Sequence, residues 1–327
     1  VIFPLVLIVA TLLAYANCFS GVLLFDDLHS LRDPRVQSLW PPVWLAGQRP
    51  LVNFTLALNG ACGGALAGYH ALNLLVHLCA GLLLYGIVRR TVTGTRFANS
   101  AEGFALAVAL IWSLHPLQTQ SVTYIIQRAE ALMGLCYLLT LYAALRAGHS
   151  HHRLTRITWC ALSILSAWLA LAAKPVAVTL PVAVILFDRA YWHTSFASAL
   201  RARWMLYAGL GSSWILLFAT GLTRGLTGTT GTAPTTVGFG VRDFGPLEYL
   251  YTQAGVILHY LRLAVWPDPL ILDYHWPIVR TLGSALLPGA IVLALLGGAL
   301  WLWRGHRRLA FPACAFFLIL APTSSFV

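Results

Sequence analysis

Apolar runs near the length of a bilayer recur about ten times along this chain, with charged residues gathered mainly at their ends and between them. A backbone immersed in lipid must satisfy its own hydrogen bonds, so runs of this length fold as helices. The fold class expected is therefore all-α: a polytopic membrane protein with about ten transmembrane helices. With 59% hydrophobic residues and a mean hydropathy of +0.76, no water-soluble fold could hide the apolar surface. The net charge of +11 would suit nucleic acid if it formed one stripe, but the basic residues are scattered among the loops. They are read as loop anchors at the membrane surface; membrane lipids are expected partners and nucleic acid is not. The six cysteines are isolated, without a CxxC, and read as small core residues rather than a metal or disulfide framework.

Spans are expected at about 3–20, 69–89, 102–117, 129–147, 155–173, 175–188, 203–220, 247–265, 284–303 and 309–326. Together they make one transmembrane domain over 1–327, with extracytoplasmic loops at 21–68 and 221–246. The first loop is too long for a plain connector. Within it Trp40, Pro41, Pro42 and Trp44 suggest an interfacial segment, and residues 51–60 a short helix on the membrane surface. The chain starts at Val1 without Met and stops at Val327 straight after an apolar run, as one module of a longer protein would. Residues 3–20 lack a small-residue cleavage pattern, so a cleaved signal peptide is not expected.

Arg89, Arg90 and Arg96, then Arg146, Arg153 and Arg156, then Arg189, Arg201 and Arg203 mark three loops that alternate correctly to be cytoplasmic. The chemistry-bearing residues then share the opposite face. Counting places the basic run Arg304, His306, Arg307 and Arg308 on that face too, against the rule. An irregularity is expected near 266–283.

Asp26 and Asp27 follow the first span, beside a loop holding Arg32, Asp33, Arg35 and Arg49. An acidic pair at the rim of a membrane protein so poor in charge is hard to explain by packing, and it is read as the catalytic edge. In His115–Arg128, Pro116 weakens helix continuation and a run of hydroxyl, amide and charged groups follows. This patch reads either as a grip on an anionic headgroup through the forked donors of Arg128, or as a polar turn with a snorkelling arginine. Lys174, with Pro175 opening the next helix, reads equally as a phosphate contact or an interface anchor. Asp188 is expected to pair with Arg189. His70 and His77 share a helix face and read first as neutral core histidines. The Gly/Thr-rich loop with Arg224, Arg242 and Asp243 reads as a substrate cover or a connector. No HExxH, nucleophile elbow, dinucleotide fingerprint or Walker loop is present, and no metal or cofactor is expected.

Taken in order, FDD (Phe25–Asp27), RPL (Arg49–Leu51), YHALNLLVHL (Tyr69–Leu78), HPLQTQSVTYIIQRAEAL (His115–Leu132), KPVAVTLPVAVILFD (Lys174–Asp188), WPDPLILDY (Trp266–Tyr274) and APTSS (Ala321–Ser325) form a specific series. It resembles the membrane half of the transmembrane-and-tetratricopeptide-repeat O-mannosyltransferases and their bacterial relatives, which have the GT-C glycosyltransferase fold. The resemblance implies transfer of a mannose-like sugar, with inversion, from a polyprenyl-phosphate donor to an acceptor hydroxyl, on a protein Ser or Thr or on a lipid. It implies a bacterial inner membrane with the active face outside the cytoplasm. By the same resemblance Asp26 or Asp27 is the general base, Arg128 and Lys174 meet the donor phosphate with His115 and Gln118 as neighbours, and Arg49, Arg224 and Arg242 belong to the substrate loops. Two departures stand out: no tetratricopeptide repeat is present, and Pro175 stands where an acidic residue commonly follows the lysine. A second reading is a non-catalytic GT-C-like scaffold in a larger membrane complex. A transporter has less support, because no paired, Gly-broken helices occur in matching halves.

Overall fold

The computed structural model describes residues 2–47, 49–95, 97–219 and 245–324, and among these it is helical without a strand. The helices are α1 (Ile2–Ala14), α2 (Asp26–Leu31), α3 (Pro50–Ala61), α4 (Leu66–Val92), α5 (Ala101–Ser113), α6 (Thr119–Thr123), α7 (Arg128–Gly148), α8 (Arg153–Ala173), α9 (Leu180–Tyr191), α10 (Phe196–Gly211), α11 (Ser213–Ala219), α12 (Pro246–Val265), α13 (Leu282–Trp301) and α14 (Arg307–Leu320). They form two compact units, Val1–Leu180 and Pro181–Val327.

Among the described residues five helical stretches are long and apolar enough to cross a membrane: Ile2–Ser20, Leu66–Val92, Ile125–Gly148, Arg153–Ala173 and Leu282–Arg304. The pair Ala98–Ser113 and Pro116–Thr123, bent by 55°, makes a sixth if counted as one span. The chain is an integral membrane protein by this measure, with fewer qualifying spans than the ten expected from hydropathy. The shortfall has simple causes. The 12 residues of α9 and 14 of α14 rise only about 18 and 21 Å, against the roughly 30 Å of a hydrocarbon core. Helix α10 is broken at Arg203 (φ −134°, ψ 27°), and α12 carries Glu248, His259 and Arg262.

In the Val1–Leu180 unit, α7 and α8 pack through small residues: Ala143, Ala144 and Ala147 on one helix and Ser163, Ala167, Ala170 and Ala173 on the other, all buried. Small side chains let helices approach closely where lipid removes the hydrophobic drive between them. Ser163 donates to the Thr140 carbonyl (3.0 Å) and Thr140 to the Ser166 hydroxyl (3.1 Å), bonds worth about 0.6 kcal/mol each between membrane helices. Helix α4 runs beside α5 at Gly81, where a Cβ would come within 2.6 Å of the Ser113 hydroxyl. Leu5, Leu12 and Leu13 of α1 remain exposed, as a lipid-facing surface requires.

The Pro181–Val327 unit contains the irregularity expected near 266–283. Residues 266–281 form no helix and run back along α12. Tyr274 and Trp276 lie on His259 (4.7 and 5.0 Å between ring centroids), Trp276 reaches Gly255, and the Val279 amide donates to the Thr252 hydroxyl (2.9 Å). Helix α13 therefore starts near the beginning of α12 and runs parallel to it. That return reverses the parity of the count. At the far end of α13 the Arg307 guanidinium donates to the His193 carbonyl (3.3 Å), so the basic run lies at the same end of this unit as Arg189. The conflict with the positive-inside rule disappears.

Candidate active site

Helix α2 begins with the acidic pair, and its two members sit in opposite environments. Phe25, just before it, adopts φ +45°, a left-handed conformation uncommon for a bulky residue. This sharp entry turns Asp27 inward and leaves Asp26 exposed. Asp27 is only 1% exposed, and each carboxylate oxygen accepts a backbone amide: Leu24 at 3.2 Å and Ile126 at 2.9 Å. The Asp26 amide donates to the Tyr124 hydroxyl at 3.2 Å. The acidic pair is thus fastened to the His115–Arg128 segment across about a hundred residues of chain, a juxtaposition the linear sequence leaves open. Its geometry gives the partners different parts: a clasp at Asp27 and a presented carboxylate at Asp26.

Arg128 starts α7 and is fully buried. Its Nε donates to Asn73 (2.6 Å), one terminal nitrogen to the Thr55 carbonyl (3.1 Å) and Asn59 (2.8 Å), and the other to the Tyr69 carbonyl (2.9 Å). The guanidinium lies 5.6 Å from the Tyr69 ring centroid. A planar fork with fixed donors suits this task, since it ties α3 and α4 to α7 at one point. The donors that suggested a phosphate contact are directed into the protein.

Lys174 occupies the break between α8 and the short turn Pro175–Thr179, where the proline disfavours helical geometry for the residue before it. Its ammonium pairs with Glu130, two residues along α7 from Arg128. Burial, and then the nearby Arg49 guanidinium, push the Lys174 ammonium down to about 8. Arg49 itself is exposed at the start of α3, which makes residues 51–60 helical as expected. Lys174 and Arg49 are thus neighbouring cations with accessible surface.

His115 is half-buried, and its Nδ1 accepts the Leu117 amide (3.2 Å), capping the turn Pro116–Gln118. Gln118 is half-buried in that turn. Arg224 and Arg242 lie outside the described residues, as do Asp243 and Arg96. Two histidine positions follow the core reading unevenly. His77 bonds the Ser113 carbonyl (2.9 Å) and stacks on Trp112, whereas His70 is fully buried with neither ring nitrogen partnered. Asp188 meets Arg203 (2.6 Å) and Tyr207 (2.5 Å) rather than the adjacent Arg189, because neighbours in a helix point to different faces. Sequence reading missed Tyr124, Glu130, Asn59 and Asn73. The two asparagines carried a signal, since amides within or beside apolar helices need partners. Among the described residues no group of three His, Cys, Asp or Glu side chains is placed to hold a metal ion.

Comparison with curated proteins points in one direction. The chain is 27% identical over 198 residues to Protein O-mannosyl-transferase F38B6.6 of Caenorhabditis elegans, covering 55% of the chain and 27% of that relative. It is 35% identical over 135 residues to Protein O-mannosyl-transferase Tmtc1 of Drosophila melanogaster (40% and 14%) and 24% identical over 197 residues to Protein O-mannosyl-transferase TMTC4 of Homo sapiens (51% and 26%). Over about half its length the chain is similar to these protein O-mannosyl-transferases. It spans about a quarter or less of the length of these curated relatives. They are animal proteins and lend no support to a bacterial inner membrane. No family model and no solved structure matches the chain.

Proposed function

We propose that the chain is the membrane module of a glycosyltransferase, GT-C-like in architecture, that moves a mannose-like sugar from a polyprenyl-phosphate donor to a Ser or Thr hydroxyl of a protein. The observation that carries this reading is the Asp26 carboxylate, exposed on a helix start that Asp27 fastens to the 124–126 turn. An unactivated hydroxyl needs its proton removed as it attacks the anomeric carbon, and Asp26 is the base. Direct displacement inverts the anomeric centre. The leaving lipid phosphate gains negative charge as the glycosidic bond breaks, and Lys174 with Arg49 stabilises it. Arg128 supports the site by holding α3, α4 and α7 in place. The active face lies outside the cytoplasm and the arginine-rich ends within it.

The test is transfer by the protein in liposomes, from polyprenyl-phosphate mannose to a Ser/Thr peptide, with the product anomer read by NMR. Inverted product supports the reading, and absence of transfer with every mannose donor supplied as a polyprenyl phosphate contradicts it. The scaffold alternative draws on one observation, that Arg128 and Lys174 both find partners inside the protein. Stoichiometric co-purification with a larger complex, without bound lipid phosphate, would favour it.

A further inference from the structure

The last turns of α4 and α7 carry a basic cluster that the transferase reading does not use. The two helices run side by side in parallel: Tyr69 and Asn73 meet Arg128 at one end, and Arg90 meets the Tyr142 ring at the other. Gly86 permits the second contact, because a Cβ there would come within 2.9 Å of that ring. Trp159 of α8 completes the cluster, edge-on to Tyr142 at 6.0 Å between ring centroids. Arg90 and Arg146 each stand two residues before the end of an apolar stretch long enough to span, Leu66–Val92 and Ile125–Gly148, and Trp159 lies near the start of a third, Arg153–Ala173. Basic residues with a tryptophan at the ends of three spans mark the level of lipid headgroups.

Two half-buried guanidiniums converge there on one phenol. Arg146 donates to the Tyr142 hydroxyl at 3.1 Å, and its guanidinium lies 5.9 Å from that ring centroid and 4.5 Å from the Trp159 ring. Arg90 lies 5.7 Å from the same Tyr142 ring, and its buried Nε has no hydrogen-bond partner among the described residues. Like charges held on one neutral ring repel each other, and a buried donor without an acceptor carries its full desolvation cost. Among the described residues neither arginine has a carboxylate within ion-pair distance, whereas Arg89 beside them is paired with Glu102. Stacking on an aromatic ring engages the face of a guanidinium and leaves its forked N–H edge for an anion.

We propose that this cluster binds a phosphate group, the chemistry shared by an anionic lipid headgroup and free inorganic phosphate. Arg90 and Arg146 hold the phosphate oxygens, and the buried Arg90 Nε gains its missing acceptor. Basic pockets between membrane helices recognise headgroup phosphates in this manner. Arg146 stands near the end of α7, about 27 Å by helical rise from Arg128 at its start. Asp26, Asp27 and Lys174 are fastened near that start, through Tyr124, Ile126 and Glu130. The two sites are therefore distinct, and this one stands or falls independently of the transferase reading.

The experiment uses the whole protein in nanodiscs of phosphatidylcholine with and without phosphatidylglycerol, with retained lipid counted by native mass spectrometry and inorganic phosphate binding read by phosphorus NMR. R90Q should lose binding about fivefold and R90Q/R146Q about 25-fold. R90K, which keeps the charge without the fork, should fall between the wild type and R90Q. R89Q, whose arginine pairs with Glu102 at 3.1 Å, should bind as the wild type does. Phosphatidylglycerol retained against added inorganic phosphate identifies the lipid as the source. Phosphate bound in phosphatidylcholine discs and displacing phosphatidylglycerol identifies the free anion. Equal binding by the wild type, R90Q and R90Q/R146Q, an equal loss in R89Q, or binding of neither probe overturns the proposal.

Discussion

Asp27 and Arg128 are the most deeply buried charged groups of the Val1–Leu180 unit, while Asp26, Lys174 and Arg49 keep accessible surface a few residues from them or their partners. Every acceptor oxygen of Asp27 and most donors of Arg128 are taken by backbone or amide groups of the protein. Those two charges are framework, holding separated segments together at the cost of desolvation. The accessible set has charge to offer a substrate. The contrast teaches that neighbouring ionisable residues in one patch divide between holding the site and using it, and that burial decides which does which.

The largest expected effect falls on the framework. Arg128→Ala leaves the Asn73 and Asn59 side-chain oxygens without their guanidinium donor, at about 1 kcal/mol or more each, takes a donor from the helical Thr55 and Tyr69 carbonyls, and adds a cavity. A total loss of about 3–5 kcal/mol is expected in chemical denaturation, with Arg128→Lys recovering only part because an ammonium cannot fork. A stable Arg128→Ala protein that had lost only donor binding would place Arg128 with the accessible set.

Lys174 tests the other side. Its folded value of about 8 lies below the unfolded value near 10.4, so between these the unfolded chain binds more protons and stability rises with pH. The cationic form is lost over the same window, so transfer should fall about tenfold per pH unit above 8 while the fold grows more stable. Glu130→Gln removes the anion against it and should move that fall to lower pH. A pH profile that is flat from 7 to 10 would remove Lys174 from the phosphate contact.

Asp33 and Arg35 give the smallest effect. Their pair, at 2.5 Å, holds Asp33 down to about 2, chiefly through the Arg35 hydrogen bond. The stability it confers is present above pH 3.9 and is lost as pH falls toward 2. Because both side chains meet solvent, Asp33→Asn should cost less than about 1 kcal/mol at neutral pH and leave transfer unchanged.

Much of this organisation is legible in the sequence, for definable reasons. Apolar runs announce helices, and the conjunction of Phe25–Asp27 with His115–Arg128 announces a polar face, because polar groups at membrane depth need a use or a partner. Among the described residues fewer helices are long and apolar enough to span than the runs hydropathy registers, since hydropathy reads apolarity but not the breaks at Arg203 and Lys174 or the shortness of α9 and α14. The return of 266–281 along α12 rests on contacts of Trp276 and Val279 that no window reveals. The inward turn of Arg128 and the pairing of Lys174 with Glu130, 44 residues apart, are tertiary facts of the same kind.

The central claim is that Asp26 acts and Asp27 holds. Transfer rate and thermal unfolding measured together on Asp26→Asn and Asp27→Asn test it directly. The account predicts that Asp26→Asn loses about 100-fold or more in rate with an unchanged melting transition. Asp27→Asn, whose amide must face one of two backbone donors, should lose about 1–3 kcal/mol of stability along with rate. Full transfer by Asp26→Asn, or a rate loss in Asp27→Asn with no loss of stability, would contradict it.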